Sequence, residues 1–397
     1  MQALSTSMPG SMTARIDVSL ARNVDRFGRA RLLAVKRRWA LLTKGNFNPY
    51  PPVPQGISLE PSDSILSSVD EAGMALDWGS IDNLKKQEDW TSKARKKLRE
   101  LLRLPGEIQE AMIVAEADMP IASGYTRRRV YLRFGPGRDA PVDIVKREGC
   151  EPDSKTPTVI CMQGTNAGAH LNLGEVRMPA DVYKVDAGSA LALQVAERGY
   201  IAVSFERACF GERRETKPGK SSASPTVDAA FHSLITGETL LGLTISELEA
   251  LRCWIDAQVA PGASVYLAGY SAAGTAAIAA AACHEGFAGV AVGGCVGMFR
   301  DTLLNRGSTG YNDVPDILNW FEFDALIALI APRTCLVIAG ETDHIWPHSA
   351  GEKVMSSARR AWDQLGAAEK VELVKAQGGH TYYPELMWPA FDRMVKV

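Results

Sequence analysis

Residues 264–284 constrain the fold of this 397-residue chain more than any other stretch. Val265 to Ala268 is apolar and β-favouring and predicts a short buried strand. The alanine-rich run after it predicts a buried helix ending near Gly286. Between them stands Gly269-Tyr270-Ser271-Ala272-Ala273-Gly274, a serine among small residues at a strand-to-helix junction. That is the sequence form of a nucleophile elbow. A turn so tight requires a strained backbone at Ser271 and small neighbours, so that strand and helix can approach. It also holds the hydroxyl at a helix N-terminus, where backbone N–H groups can receive developing negative charge. An ordinary Gly/Ser turn would look much the same, so the reading depends on what lies downstream.

The rest of the chain alternates. Ala111–Ala117, Tyr125–Phe134 and Ala140–Arg147 are strand-like and separated by Gly/Pro turns, which predicts an antiparallel meander at a sheet edge. The apolar Thr156–Met162 suits a central parallel strand. Strands at Ile201–Phe205, Gly289–Gly293, Thr334–Ala339 and Val371–Lys375 interleave with helices at Gly188–Arg198, Thr239–Gln258, Ile317–Ile330, Glu352–Leu365 and Tyr383–Lys396. Such alternation predicts an α/β fold with a mostly parallel central sheet covered by helices on both faces. Ahead of it, a basic amphipathic helix is expected over Arg26–Leu42, a linker over Gly45–Pro61 and a charged helix over Ile81–Leu104. This gives a helical N-terminal extension over residues 1–105 and an α/β domain over 106–397, with 298–323 roofing the site.

A net charge of −2 argues against nucleic acid or an anionic membrane as the main partner. Seven scattered cysteines, without zinc spacing, suggest reduced core thiols and a cytoplasmic protein. No apolar run reaches transmembrane length and no signal-peptide core is evident. A homodimer is the favoured assembly.

In an open α/β sheet the site lies beyond the carboxyl ends of the strands. After the strand ending at Ala339 comes Gly340-Glu341-Thr342-Asp343-His344, and after the one ending at Lys375 comes Gly378-Gly379-His380. The order Ser271, Asp343, His380 supplies what acyl transfer needs: a nucleophile, a base that becomes an acid, and a carboxylate that orients the base. Glu341 and Asp301 are fallback acids. His344 and His348 are expected to flank the site, and His284 to sit at a helix end that favours its charge. His170 and His232 have no partner assignable from sequence. For the oxyanion hole the expected donors are the backbone N–H of Ala272 and that of Thr165, with Asn166 second, in Gln163-Gly164-Thr165-Asn166-Ala167-Gly168. Tyr270, Phe210, Phe299, Trp320 and Trp346 are candidate pocket walls, together with Tyr311, Phe321 and Tyr382. Arg207, Arg213 and Arg300 either recognise an anionic substrate group or pair internally with Glu206, Glu212 or Asp301.

The chain resembles serine esterases of the α/β-hydrolase superfamily, in particular the acetyl-xylan-esterase-like and dienelactone-hydrolase-like bacterial group. The resemblance spans roughly residues 90–397. It rests on the elbow, on the Ser–Asp–His order, and on Glu206-Arg207-Ala208-Cys209-Phe210-Gly211-Glu212-Arg213, which is similar to the group's Asp-Ala-Arg-x-Phe-Gly-Glu-Arg. Leu240-Leu241-Gly242-Leu243 and Ile330-Ala331-Pro332-Arg333 also match. Two departures, Gln163 where the group often has His and Ala273 where it often has Gly, would reshape the pocket. The resemblance implies a small carboxylic ester of short-acyl or acetyl type, cleaved through an acyl-enzyme without metal or organic cofactor. C–C or amide hydrolysis, or an inert scaffold, are the rival readings.

Overall fold

The computed structural model describes residues 52–151, 153–165, 168–215, 225–306 and 310–395. The expected helix Arg26–Leu42 and Asn166 lie outside them. The chain divides into two compact units, Met1–Glu71 and Ala72–Val397. In the first, the described residues carry helix α1 (Pro61–Ala72), with Asp63 in its first turn. Among the described residues the second holds nine strands: β1 (Met112–Ala117), β2 (Tyr125–Arg133), β3 (Asp139–Arg147), β4 (Thr158–Met162), β5 (Ile201–Phe205), β6 (Val265–Tyr270), β7 (Gly289–Gly293), β8 (Thr334–Gly340) and β9 (Val371–Ala376). Its helices are α2 (Leu84–Leu101), α3 (Asp181–Asp186), α4 (Leu191–Glu197), α5 (Pro225–Ile235), α6 (Leu240–Gln258), α7 (Ala272–Cys283), α8 (Leu303–Arg306), α9 (Phe323–Ala328), α10 (His348–Ala358), α11 (Arg360–Leu365) and α12 (Pro384–Val395).

The strands form one sheet in the order β1-β2-β3-β5-β4-β6-β7-β8-β9. The meander β1–β3 is antiparallel and joins β5 antiparallel, and β5 through β9 are parallel. The chain runs from β4 outward to β5, then returns to the other side of β4 as β6. That reversal opens a crevice beyond the carboxyl ends of β4 and β6, where such sheets bind ligands.

Strand pleating splits the core into two layers. Ile160, Leu267 and Val337 face a layer built from α2, α6, α7 and α9–α11. Val159, Ala268 and Leu336 face the layer of α4 and α12, where Trp388 and Phe391 are fully buried. Every residue of α7 is buried, which only an Ala/Gly-rich helix permits against both the sheet and neighbouring helices. Arg333 donates to the carbonyls of Ala281 and His284, Arg95 to Ala282 and Arg99 to Cys283, so cations meet the negative end of this helix.

Three differences from the sequence reading have local causes. Helix α2, assigned by sequence to the N-terminal arm, lies within the Ala72–Val397 unit, with Trp90, Ala94 and Leu98 in the main core. The helix expected over Ile317–Ile330 is a 3-10 turn at Ile317–Asn319 followed by α9. The break lies at Glu322, whose carboxylate caps Phe323 N–H and also accepts from Phe299 and Arg300 N–H. The helix expected over Glu352–Leu365 is the abutting pair α10 and α11, starting at His348.

Candidate active site

Ser271 closes β6 and N-caps α7 with φ 56° and ψ −128°, a strained conformation for a residue with a side chain. The close approaches that the elbow demands fall on glycines. A Cβ on Gly269 would lie 2.8 Å from the Ala273 backbone, and one on Gly274 would lie 2.5 Å from Cys295 Sγ. Ala273 itself lies inside α7 and needs no positive φ, so alanine fits there.

His380 Nε2 lies 3.1 Å from Ser271 Oγ, and His380 Nδ1 lies 2.7 Å from Asp343 Oδ2. Asp343 is buried, and its Oδ1 accepts from the N–H groups of Ile345 at 2.8 Å and Trp346 at 3.0 Å. Burial raises its pKa, but His380 and the two N–H groups outweigh burial and hold the carboxyl below its ordinary value. An ionised Asp343 accepting from Nδ1–H leaves Nε2 as the acceptor for the serine proton. The fallback acids are engaged elsewhere: Glu341 is exposed and paired with Lys375, and Asp301 is paired with Lys353.

The loop after β4 lies against the elbow. A Cβ on Gly164 would come within 2.8 Å of Tyr270 O and 3.1 Å of Ser271 Cβ. Gly164, Thr165, Ser271 and Ala272 line one cleft of about 620 Å³ with His380. The Thr165 hydroxyl hydrogen-bonds Tyr311 Oη. Gln163 points into the protein: Nε2 donates to Asn172 Oδ1 and Ser189 O, and Oε1 accepts from Tyr382.

Tyr270 and Trp346 line the cleft as expected from sequence, as do Tyr311 and Tyr382. Phe210, Phe299 and Trp320 are not among the described lining residues. Phe210 packs edge-on against Tyr311 from behind, Phe299 packs on Phe323 in the core, and Trp320 lies under Lys97 with its indole bonded to Asp316. The sequence reading missed Tyr183 and Lys184 on α3, Leu303, Asn312 and Asp313 beyond β7, and Ile345 and Thr381. Only Thr381 and Ile345, beside His380 and Asp343, carried a positional signal.

His344 lies 6.0 Å from His380, ring to ring. His170 has a partner, Asp181, at 2.9 Å. His284 does sit at a helix end, but burial and three nearby arginines push its pKa down to about 4, so it is neutral there. Arg213 does not form the expected pair: it binds Glu247, while Glu212 binds Arg129 and Glu206 accepts from the backbone N–H of Ala169 and Glu212. Among the described residues no group of three or more His, Cys, Asp or Glu could hold a metal ion, and no helix is long and apolar enough to cross a membrane.

Residues 80–288 match the profile of the Abhydrolase family. No curated protein matches the chain. Among solved structures, a putative acetyl xylan esterase from Bacteroides fragilis is similar at TM-score 0.65 and 15% identity, over 87% of this chain and 92% of that one. The glucuronoyl esterase from Solibacter usitatus gives TM-score 0.56 at 14% identity, over 80% of this chain and 94% of that one. A CE15 glucuronoyl esterase from Teredinibacter turnerae gives 0.56 at 15% identity, over 83% and 90%. At these identities the likeness is one of fold.

Proposed function

The chain belongs to the Abhydrolase family, and on that premise we propose that it is a serine carboxylic ester hydrolase acting on a small, short-acyl or acetyl ester. The observation that carries the reading is the two-bond relay from Asp343 through His380 to Ser271. Ser271 Oγ attacks the ester carbonyl as His380 Nε2 takes its proton. His380 then hands that proton to the departing alkoxide, leaving an acyl-serine. Water, deprotonated by the same imidazole, attacks the acyl carbon; the tetrahedral intermediate collapses, Ser271 regains its proton and the acid departs. Asp343 stabilises the imidazolium in both halves. The N–H groups of Ala272 and Thr165 receive the oxyanion. The wall residues, several aromatic rings with Lys184, Asn312 and Asp313 among them, suit a polar alcohol. The similar folds include a putative acetyl xylan esterase and a glucuronoyl esterase, and esters of carbohydrates are the substrate class we favour.

The test is hydrolysis of p-nitrophenyl esters of increasing acyl length beside Ser271→Ala. Acetate should be cleaved fastest, with the rate falling as the acyl chain grows. The substitution should lower kcat by roughly 10⁴–10⁶-fold. Failure to hydrolyse any ester, with Ser271 still labelled by a fluorophosphonate, would move the reading to another acyl or C–C substrate. Failure of both would leave an inert scaffold.

A further inference from the structure

Arg207, in the loop after β5, is 3% exposed, yet among the described residues no carboxylate bonds its guanidinium, and the neighbouring Glu206 acts on it through charge alone. Its guanidinium reaches between two chain segments instead. Nη2 donates to Gln163 O at 3.2 Å and Nη1 to Ala272 O at 3.5 Å. Gln163 O lies two residues before Thr165, and Ala272 O belongs to the residue after the nucleophile. Asn312 Nδ2 donates to the same Ala272 O at 3.0 Å. The Phe210 ring covers the guanidinium at 4.2 Å and packs on Tyr311, which bonds Thr165. Among the described residues its buried Nε has no partner. Burying a cation that no carboxylate bonds is costly, and a chain that needed only packing would fill this space with an apolar side chain.

We propose that Arg207 is a positioning residue for ester hydrolysis: its planar fork clamps the loop after β4 to the start of α7 and so sets the spacing of the two N–H donors that receive the oxyanion. The inference rests on the serine-hydrolase reading above. Arginine suits the task because one rigid guanidinium binds two carbonyls on different segments, whereas an ammonium offers no such fork. Burial lowers its pKa to about 10, so it remains cationic at neutral pH, and its field also favours negative charge in the hole.

The experiment compares wild type with Arg207→Met, Arg207→Lys and Phe210→Leu, reading kcat and KM on p-nitrophenyl acetate. It also reads the Ki of a trifluoromethyl ketone, which forms a tetrahedral adduct, and the affinity of the unreactive amide analogue. Arg207→Met should lower kcat about 100-fold with KM within threefold. Ki for the ketone should rise in parallel while amide affinity holds. Arg207→Lys should fall between, because the charge is kept and the fork is lost. Phe210→Leu, which loosens the guanidinium without removing it, should show a smaller loss of the same kind, and it keeps the test alive if Arg207→Met does not fold. Wild-type kcat and ketone affinity in any folded Arg207 variant would overturn the proposal, as would equal losses of ketone and amide binding. If wild type cleaves no ester, the ester reading falls on its own. Arg207 is then tested by the rate of fluorophosphonate labelling of Ser271, which also develops an oxyanion: a slower rate in the variants supports the clamp, and an unchanged rate overturns it.

Discussion

Gly164 has no side chain, and that is its contribution. Its Cα lies so close to Tyr270 O and Ser271 Cβ that a methyl group there must push the loop after β4 away from Ser271. Gly164→Ala should therefore fold with little change in Tm but lose about 10- to 100-fold in kcat; esterase assay beside a thermal melt checks this. At this scale the sequence was most informative where a residue follows a strand. Ser271, Asp343 and His380 each follow a strand, and an α/β sheet gathers the ends of its strands, so these three side chains meet. Aromatic side chains misled because phenylalanine and tryptophan have the same chemistry in a core as in a pocket wall: Phe299 and Trp320 pack where Trp346 lines. Lys184 and Asn312 carry no sequence signal, since only tertiary folding brings their segments over the elbow.

At the scale of elements, β2 and β3 are tied to the body by one carboxylate. Asp143 receives bidentate bonds from both Arg127 and Arg129, which continue to Glu175 and Glu212. Burial raises the Asp143 pKa, but the two guanidiniums prevail and hold it below its ordinary value. The folded state thus binds fewer protons than the unfolded chain near pH 4. This contribution to stability is present above about pH 4 and is lost as pH falls further. Asp143→Asn should cost about 3–5 kcal/mol at pH 7, because two guanidiniums remain buried against a neutral group. The gap between variant and wild type should close in urea melts taken toward pH 3. The elements themselves were largely legible, with β5 and β7 matching residue for residue. The break at Glu322 escaped the sequence because a buried side chain there captures backbone N–H groups of a distant loop, which periodicity does not report.

Over the whole molecule, the seven cysteines are all free, with Cys161, Cys209, Cys283, Cys295 and Cys335 buried and Cys150 and Cys253 half-buried. Desolvation raises the thiol pKa at each of the five buried positions. Titration with a chromogenic disulfide at pH 8 should register Cys150 and Cys253 in the native protein and the other five only after denaturation. Rapid native reaction at Cys295, which packs against Gly274, would contradict the close packing behind the elbow. The cleft has a further consequence, because its walls come from two sources. Ser271, His380 and Gly164 sit at strand ends that the sheet holds in place, whereas Tyr183 and Lys184 ride on α3, and Leu303 and Asp313 on the excursion after β7. On the proposed function, the reacting groups and the walls that would choose a substrate are therefore separately inheritable: a library randomised at Tyr183, Lys184, Leu303 and Asp313 should sample new selectivities around a constant reaction, while one randomised along α7 should sample mainly chains that do not fold.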